Sequence, residues 1–246
     1  MSQKVSIITT TYNDCENLAK IIERVKEQDY SNIEYVIVDG ASKDDTIKVI
    51  EEAQAYFGDR LKWISEPDQG IYDAINKGIR LATGDIIGTC FDTFTSKDVI
   101  SKMVQTIEKE QTDGVHGDLN YVDGERIVRR WRMGQGDVRF GWMPAHPTLY
   151  LKKEVYETYG LYKEDYRIAA DYEYMLRILK DKKVKLSYIP EVLVNMFYGG
   201  TSTGGMSNYM DSFKEGVRAM KENGFHFSVV VQGLRTLRVL YQFVRK

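Results

Sequence analysis

The chain has 246 residues, 43% of them hydrophobic and 28% charged, with a formal net charge of -2. That length and balance suit one α/β domain with elaborations and exclude a disordered or fibrous chain. The near-neutral charge supplies no global basic field, so nucleic acid is not an expected partner. Cys15 and Cys90 lack metal-ligand spacing. Neither a disulfide framework nor a Cys-based zinc site is expected, and a reducing compartment fits. The first four residues run straight into an apolar segment without the core of a signal peptide. No stretch reaches the roughly 18 consecutive apolar residues of a membrane span. The expectation is a cytoplasmic protein, soluble or peripheral at the inner membrane face.

In chain order, residues 5–9 predict a strand, after which Leu18, Ile21, Ile22 and Val25 recur at helical spacing. Residues 33–38 predict a second strand, closed by Asp39 and Gly40. Ser42 is placed as the N-cap of a helix carrying Ile47, Ile50, Ala53 and Phe57. Residues 61–65 predict a third strand, and Ile71, Ala74, Ile75, Gly78 and Ile79 mark a helix face. Residues 86–91 predict a fourth strand. This alternation is the pattern of βαβ units around a parallel sheet. Beyond it the pattern loosens. Residues 115–132 hold short strand-like pieces about an Asp123-Gly124 turn, the mark of a hairpin, and 134–147 reads as loop. Residues 170–181 predict a helix, and 184–189 and 192–198 predict two strands. A Gly-rich loop at 199–205 follows, either a lid or a plain connector.

Three predicted strands end in polar residues: Thr9 to Asn13, Asp39 and Asp92. Open parallel sheets bind ligands outside the carboxyl ends of their strands, so a recurrence on that edge points to a site. Each residue taken alone is equally at home capping the next helix or turn.

Thr9-Thr10-Thr11-Tyr12-Asn13, Val38-Asp39-Gly40-Ala41-Ser42-Lys43-Asp44-Asp45-Thr46 and Glu66-Pro67-Asp68-Gln69-Gly70-Ile71-Tyr72-Asp73-Ala74 together resemble family 2 inverting glycosyltransferases. Asn76-Lys77-Gly78, Thr83-Gly84-Asp85-Ile86-Ile87-Gly88 and Ala169-Ala170-Asp171-Tyr172-Glu173 continue the resemblance in order, over roughly residues 4–190. It implies an α/β protein of the GT-A fold, with a mostly parallel central sheet flanked by helices. Residues 1–198 would form that domain, 1–95 the nucleotide-binding half and 96–198 the acceptor half. The Gly-rich loop and a C-terminal helical extension occupy 199–246. The resemblance also implies a nucleotide-sugar donor (UDP-sugar favoured), a saccharide or polyprenyl-linked acceptor, and inversion at the anomeric carbon. Assembly of a surface polysaccharide is the role that relatives suggest.

Carried over residue by residue, Asp39 hydrogen-bonds the base or ribose of the donor, where an acceptor-only carboxylate suits uracil N3–H or ribose hydroxyls. Thr9 and Tyr12 neighbour the nucleoside; Tyr12 stacks on the base or covers the start of the first helix. Asp68 and the backbone at Gly70 belong to the third nucleotide-facing loop, with glycine permitting close approach. Lys77 is either a phosphate contact or a solvated helix lysine. His146 is either a diphosphate or metal contact or a structural histidine. Asp171 matches the catalytic base that takes the acceptor hydroxyl's proton, and it can cap the following helix as well. Relatives place two or three acids after the fourth strand to hold a divalent metal, Mg²⁺ or Mn²⁺. This chain reads Cys90-Phe91-Asp92-Thr93-Phe94-Thr95-Ser96, leaving Asp92 as the metal ligand. One carboxylate with the donor phosphates can still hold Mg²⁺, which tolerates few protein ligands.

Val230, Leu234, Leu237, Tyr241 and Val244 form an apolar stripe beside Arg235, Arg238, Arg245 and Lys246. Such a helix either lies in a membrane interface or packs on the domain or on a second subunit of a homodimer. Two other classes compete. A nucleotidyltransferase needs a Gly- and Lys-bearing loop after the first strand, which Thr9 to Asn13 does not provide, and a dehydrogenase needs G-x-G-x-x-G there. A glycosyltransferase-like protein that binds nucleotide without turnover is the non-enzyme alternative.

Overall fold

The apolar runs of the first half assemble side by side, because their flanking amphipathic segments cover both faces of the sheet they form. The computed structural model describes residues 2–198 and 205–244. In it β1 (Val5–Thr11), β2 (Ile33–Asp39), β3 (Leu61–Ser65) and β4 (Ile86–Thr89) lie parallel in the order β3-β2-β1-β4. They are joined by α1 (Cys15–Lys26), α2 (Thr46–Phe57) and α3 (Ile71–Leu81). All seven residues of β2 are buried, as a strand covered on both faces requires. The registers end together: Thr11 pairs with Asp39, and Asp39 with Ser65.

The second half continues the same sheet with mixed pairing. It comprises β5 (Thr93–Phe94), α4 (Val99–Glu110), β6 (Gly114–Asp123), β7 (Arg126–Trp131), β8 (Tyr150–Lys152), α5 (Lys153–Tyr159), α6 (Ala170–Leu179) and β9 (Leu186–Phe197). α7 (Gly205–Glu222) and α8 (Ser228–Val244) form the extension. The strand order is β3-β2-β1-β4-β8-β6-β9-β5, with β7 added on β6. β8 is antiparallel to both β4 and β6, whereas β9 runs parallel to β6.

The β6–β7 hairpin turns at Asp123 and Gly124, the latter at a φ of 58°. The two strands expected at 184–189 and 192–198 are a single strand, β9. Its register on β6 jumps from Gly117↔Ile189 to Asp118↔Val192. Pro190 and Glu191 are thereby left as a bulge, where proline's missing N–H breaks no ladder bond. Helix α4, unanticipated from the sequence, buries Val99, Ile100, Met103, Val104 and Ile107 against β6 and β9. The Gly-rich stretch at 199–204 lies outside the described residues, as do Arg245, Lys246 and the side chains of Tyr241 and Val244.

The extension is tied down by charge and by close packing. Glu173, fully buried on α6, pairs with Arg177 at 2.9 Å and Lys163 at 3.3 Å, and accepts from Asn223 at the end of α7. At Gly216 the α7 backbone comes so near the Gln232 amide of α8 that a Cβ would sit 2.5 Å from it. Among the described side chains of α8, Ser228, Val231 and Gln232 are buried, while Val230, Leu234 and Leu237 of the expected stripe are exposed. No helix among the described residues is long and apolar enough to cross a membrane.

His116 on β6 is fully buried between the rings of Trp142 and Tyr188, and neither ring nitrogen has a hydrogen-bond partner among the described residues. Burial pushes its pKa down to about 4 from an ordinary 6.5. Between those values the unfolded chain binds the proton and the folded one does not, so stability falls as the pH falls through that window. Urea midpoints taken from pH 7 to pH 4.5 should decline less for His116→Phe than for the native chain, by up to about 3 kcal/mol. Equal declines would show that His116 carries none of the acid sensitivity.

Candidate active site

The site begins with the carboxyl ends of β1, β2 and β3. Asp39 is fully buried there, and both oxygens are engaged. Ser42 donates its hydroxyl to Oδ1 at 2.5 Å and its backbone N–H to Oδ2 at 3.0 Å; the Ser65 hydroxyl donates to Oδ2 at 2.6 Å. Ser42 therefore does not cap α2, which starts at Thr46; it folds the loop back onto Asp39. Asn13, with φ at 48°, ties the β1 loop to the same place. Its N–H donates to Ser42 Oγ, and its Oδ1 accepts from the Lys43 N–H, each at 2.7 Å.

These contacts change the immediate roles of two residues. Asp39 does not face solvent as a free acceptor; it organises the three loops around it. Thr9 is also fully buried, donating to the Cys90 carbonyl at 2.7 Å and accepting from Tyr35 at 3.0 Å. It locks β1 to its neighbours two residues short of the edge. Thr11 does reach the edge, and its hydroxyl has no partner among the described residues. It lies two positions further along the same strand face, as the alternation of strand side chains requires.

Tyr12 is 61% exposed and leans over Gly40, where a Cβ would lie 3.2 Å from its ring and 2.7 Å from Asp68 Oδ2. The absent side chain at Gly40 is thus what lets Tyr12 and Asp68 approach one another. Asp68 in turn accepts from the Gly70 N–H at 3.0 Å, and Gly70 takes a φ of 137° that favours glycine. Lys77 is not a solvated lysine. Its ammonium donates to the Pro67 carbonyl at 2.8 Å and pairs with Glu66 at 3.0 Å and Asp73 at 3.3 Å, pinning the loop between β3 and α3.

A second group lies around the end of β4 and the start of α6. Asp92 Oδ1 accepts from the Phe197 N–H at 2.9 Å, which ties it to the end of β9. No cation pairs with it among the described residues, and burial pushes its pKa up to about 7. Where relatives carry further acids, Thr93 pairs with Asn195 and Phe94 enters the core. No group of three metal-ligating side chains occurs among the described residues. A half-buried carboxylate with one oxygen unclaimed fits a divalent cation that takes its other ligands from a diphosphate and water. It does not fit a self-contained protein cage.

Asp171 sits in the first turn of α6. Its Oδ1 accepts from the Tyr172 N–H at 2.8 Å and lies 3.2 Å from the Tyr72 hydroxyl, which itself donates to the Ile168 carbonyl at 2.6 Å. The orphan N–H groups ahead of the helix are not capped by Asp171. Glu215 of α7 accepts from the Arg167, Ile168 and Ala169 N–H groups at 2.9, 2.9 and 2.8 Å. No local pattern in the sequence reveals this clamp, because its carboxylate comes from a helix 46 residues beyond Ala169. His146 is within 2.9 Å of the Tyr162 hydroxyl, and its ring centroid is 6.0 Å from Phe91. Burial lowers its pKa against the opposing pull of Asp171, so it is a neutral imidazole near the carboxylate. Asp92 and Asp171 both act electrostatically on the Tyr121 phenol, as do Arg129 and Arg235. The two acids therefore both lie within electrostatic reach of the buried Tyr121.

Comparison with known proteins bears on the family and the fold. A biosynthetic glycosyltransferase of Mycobacterium bovis (strain BCG / Pasteur 1173P2), described as acting in PGL/p-HBAD biosynthesis, is 29% identical over 213 residues, covering 82% of this chain and 78% of the relative. Among solved structures, residues 1–349 of S. aureus TarS in complex with UDP-GlcNAc superpose with a TM-score of 0.71 at 14% identity, covering 98% of this chain and 71% of that one. Against the longer TarS chain, this protein spans 43% of the length. The mannosyltransferase PcManGT from Pyrobaculum calidifontis, in complex with GDP-Man and Mn²⁺, gives a TM-score of 0.64 at 18% identity, covering 98% of this chain and 76% of that one. These likenesses establish the GT-A fold. The profile of glycosyl transferase family 2 matches residues 6–169, and the chain belongs to that family.

Proposed function

We propose that the chain is an inverting glycosyltransferase that moves a sugar from a UDP-sugar to a saccharide or lipid-linked saccharide, in the assembly of a surface polysaccharide. The observation that carries this reading is the Asp171 carboxylate at the opening of α6, held by Tyr72 and the Glu215 clamp, with Asp92 acting on the same Tyr121 phenol. In this reading residues 1–95 hold the nucleotide, 96–198 form the acceptor side, and 199–246 are an extension. Tyr12, Thr11 and Asp68 form the nucleoside wall, shaped from behind by Asp39. The UDP-GlcNAc bound by TarS supports a UDP-sugar as donor.

Asp171 takes the proton of the acceptor hydroxyl as that oxygen bonds the anomeric carbon from the face opposite the nucleotide. The bond from the anomeric carbon to the β-phosphate oxygen breaks, and the nucleoside diphosphate leaves with that electron pair. The charge that builds there needs a partner, and the two candidates offered by the sequence, Lys77 and His146, are committed. Lys77 is paired with two carboxylates, and His146 is held neutral. A divalent cation, Mg²⁺ or Mn²⁺, held by Asp92 together with the diphosphate would supply that neutralisation. The Mn²⁺ in PcManGT supports this assignment. The exposed Val230, Leu234 and Leu237 of α8 support contact with a membrane surface or a second copy of the chain.

The reading is tested with a panel of UDP-, GDP- and dTDP-sugars, measuring donor turnover with Mn²⁺ or Mg²⁺ and then with EDTA. One UDP-sugar should turn over, and EDTA should abolish its turnover. Asp171→Asn should keep donor affinity and lose about 100-fold or more in rate, the usual contribution of a positioned base. Undiminished turnover by Asp171→Asn would rule out the mechanism. Nucleotide binding with no turnover of any donor, even with saccharide acceptors, would favour the non-enzyme alternative.

Glu215→Gln tests the clamp separately, because an amide cannot accept three N–H groups with the strength of a carboxylate. The rate should fall about tenfold with the donor KM unchanged, since a base displaced by a fraction of an ångström loses alignment. Equal changes in rate and KM would indicate a general loss of structure instead.

A further inference from the structure

A groove of about 1320 Å³ lies between β7, the 132–143 loop and α8. Trp131, Phe140, Trp142, Leu234 and Leu237 give it apolar walls. Four guanidiniums border it: Arg130, Arg132, Arg235 and Arg238. Their charges are unequally committed. Arg132 reaches Asp118 at 3.5 Å. Arg235 lies over the Tyr172 ring at 4.1 Å and donates to Met143 Sδ at 3.0 Å. Arg130 and Arg238 are exposed and have no carboxylate within ion-pair distance among the described residues. Asp137 also lines the groove, but Arg139 and Lys182 already hold it.

An apolar trough rimmed by unpaired guanidiniums is complementary to an anion carried on an apolar chain. A bare phosphate would use only the rim, and a neutral hydrocarbon only the walls. The position of the groove gives that anion a purpose, because Arg235 stacks on Tyr172, the residue next to Asp171. We propose that this groove binds the phosphate or diphosphate head and first apolar units of an alkyl- or prenyl-linked acceptor. Arg130 and Arg238 seat the head, and Arg235 marks the inner end that leads to Asp171. The assignment rests on the acceptor-side reading of Asp171, but its test reads binding, so it can fail while that reading stands.

Farnesyl phosphate is the probe, with farnesol, inorganic phosphate and glycerol 3-phosphate as the split controls. Binding to the full chain is followed by quenching of tryptophan fluorescence, since Trp131 and Trp142 line the walls. Farnesyl phosphate should bind saturably, and each control at least tenfold more weakly. Arg130→Ala combined with Arg238→Ala should weaken farnesyl phosphate at least tenfold while leaving UDP affinity and the melting temperature unchanged. Absence of saturable binding, or unchanged binding in the double variant, would overturn the proposal. Glycerol 3-phosphate binding as tightly as farnesyl phosphate would overturn it too, by making the walls irrelevant. Vesicles of phosphatidylglycerol are the last arm. If they sediment the protein through the same two arginines and farnesyl phosphate does not compete, the arginines face a bilayer surface and the acceptor assignment fails.

Discussion

The structure depends on how it accommodates buried carboxylates at the ends of its strands. An ionised Asp39 removed from water is tolerable only if donors surround it, and here the donors are Ser42 and Ser65 rather than a cation. Because Ser42 lies in the loop after β2 and Ser65 ends β3, satisfying one charge ties that loop to the end of the neighbouring strand. Asn13 then closes the arrangement from the β1 side. The device recurs. Asp44 accepts from the Thr46 and Cys15 N–H groups, Asp92 from Phe197, and Glu215 from three residues ahead of α6. Each bond has a carboxylate as acceptor, and where that carboxylate is ionised the bond is stronger than a neutral one and better able to fix a loop.

The parallel half was legible in the sequence because its strands are buried on both faces and its helices on one, giving two distinct periodicities. The mixed half was not, for local reasons. β8 is three residues long, too short to carry any period. Pro190 makes β9 read as two strands, since proline in a run argues against continuous pairing until a bulge is known to absorb it. Helix α4 is a different matter: Val99, Ile100, Met103, Val104 and Ile107 stand at helical spacing, so the signal was present in the residues.

The site was legible as a set of positions and less so as a set of roles. The polar strand ends do converge, with Tyr12 and Asp68 meeting across Gly40. Ser42 was assigned the wrong partner, and the bonds of Thr9 went unforeseen, because a hydroxyl can serve a helix, a carboxylate or a carbonyl, and only the fold decides which is in reach. Lys77 differs: Asp73 stands four residues before it on α3, a pair that helical spacing could have shown, whereas Glu66 reaches it from the loop ahead of the helix. Tyr72, Tyr121, Arg235 and Glu215 were invisible as site residues, since their relation to Asp171 is made entirely by long-range packing.

The match to the family profile stops at residue 169, where the Glu215 clamp takes hold. Helix α7 supplies that clamp, and α8, which packs on α7 at Gly216, forms one wall of the arginine-rimmed groove. The same two helices therefore steady the carboxylate at α6 and border the space beside it. A lineage that reshaped α8 to admit a different partner would also move α7, and with it the orientation of Asp171. Under the function proposed for Asp171 and the groove, selectivity and turnover would be mechanically coupled, so neither could drift far without compensation in the other.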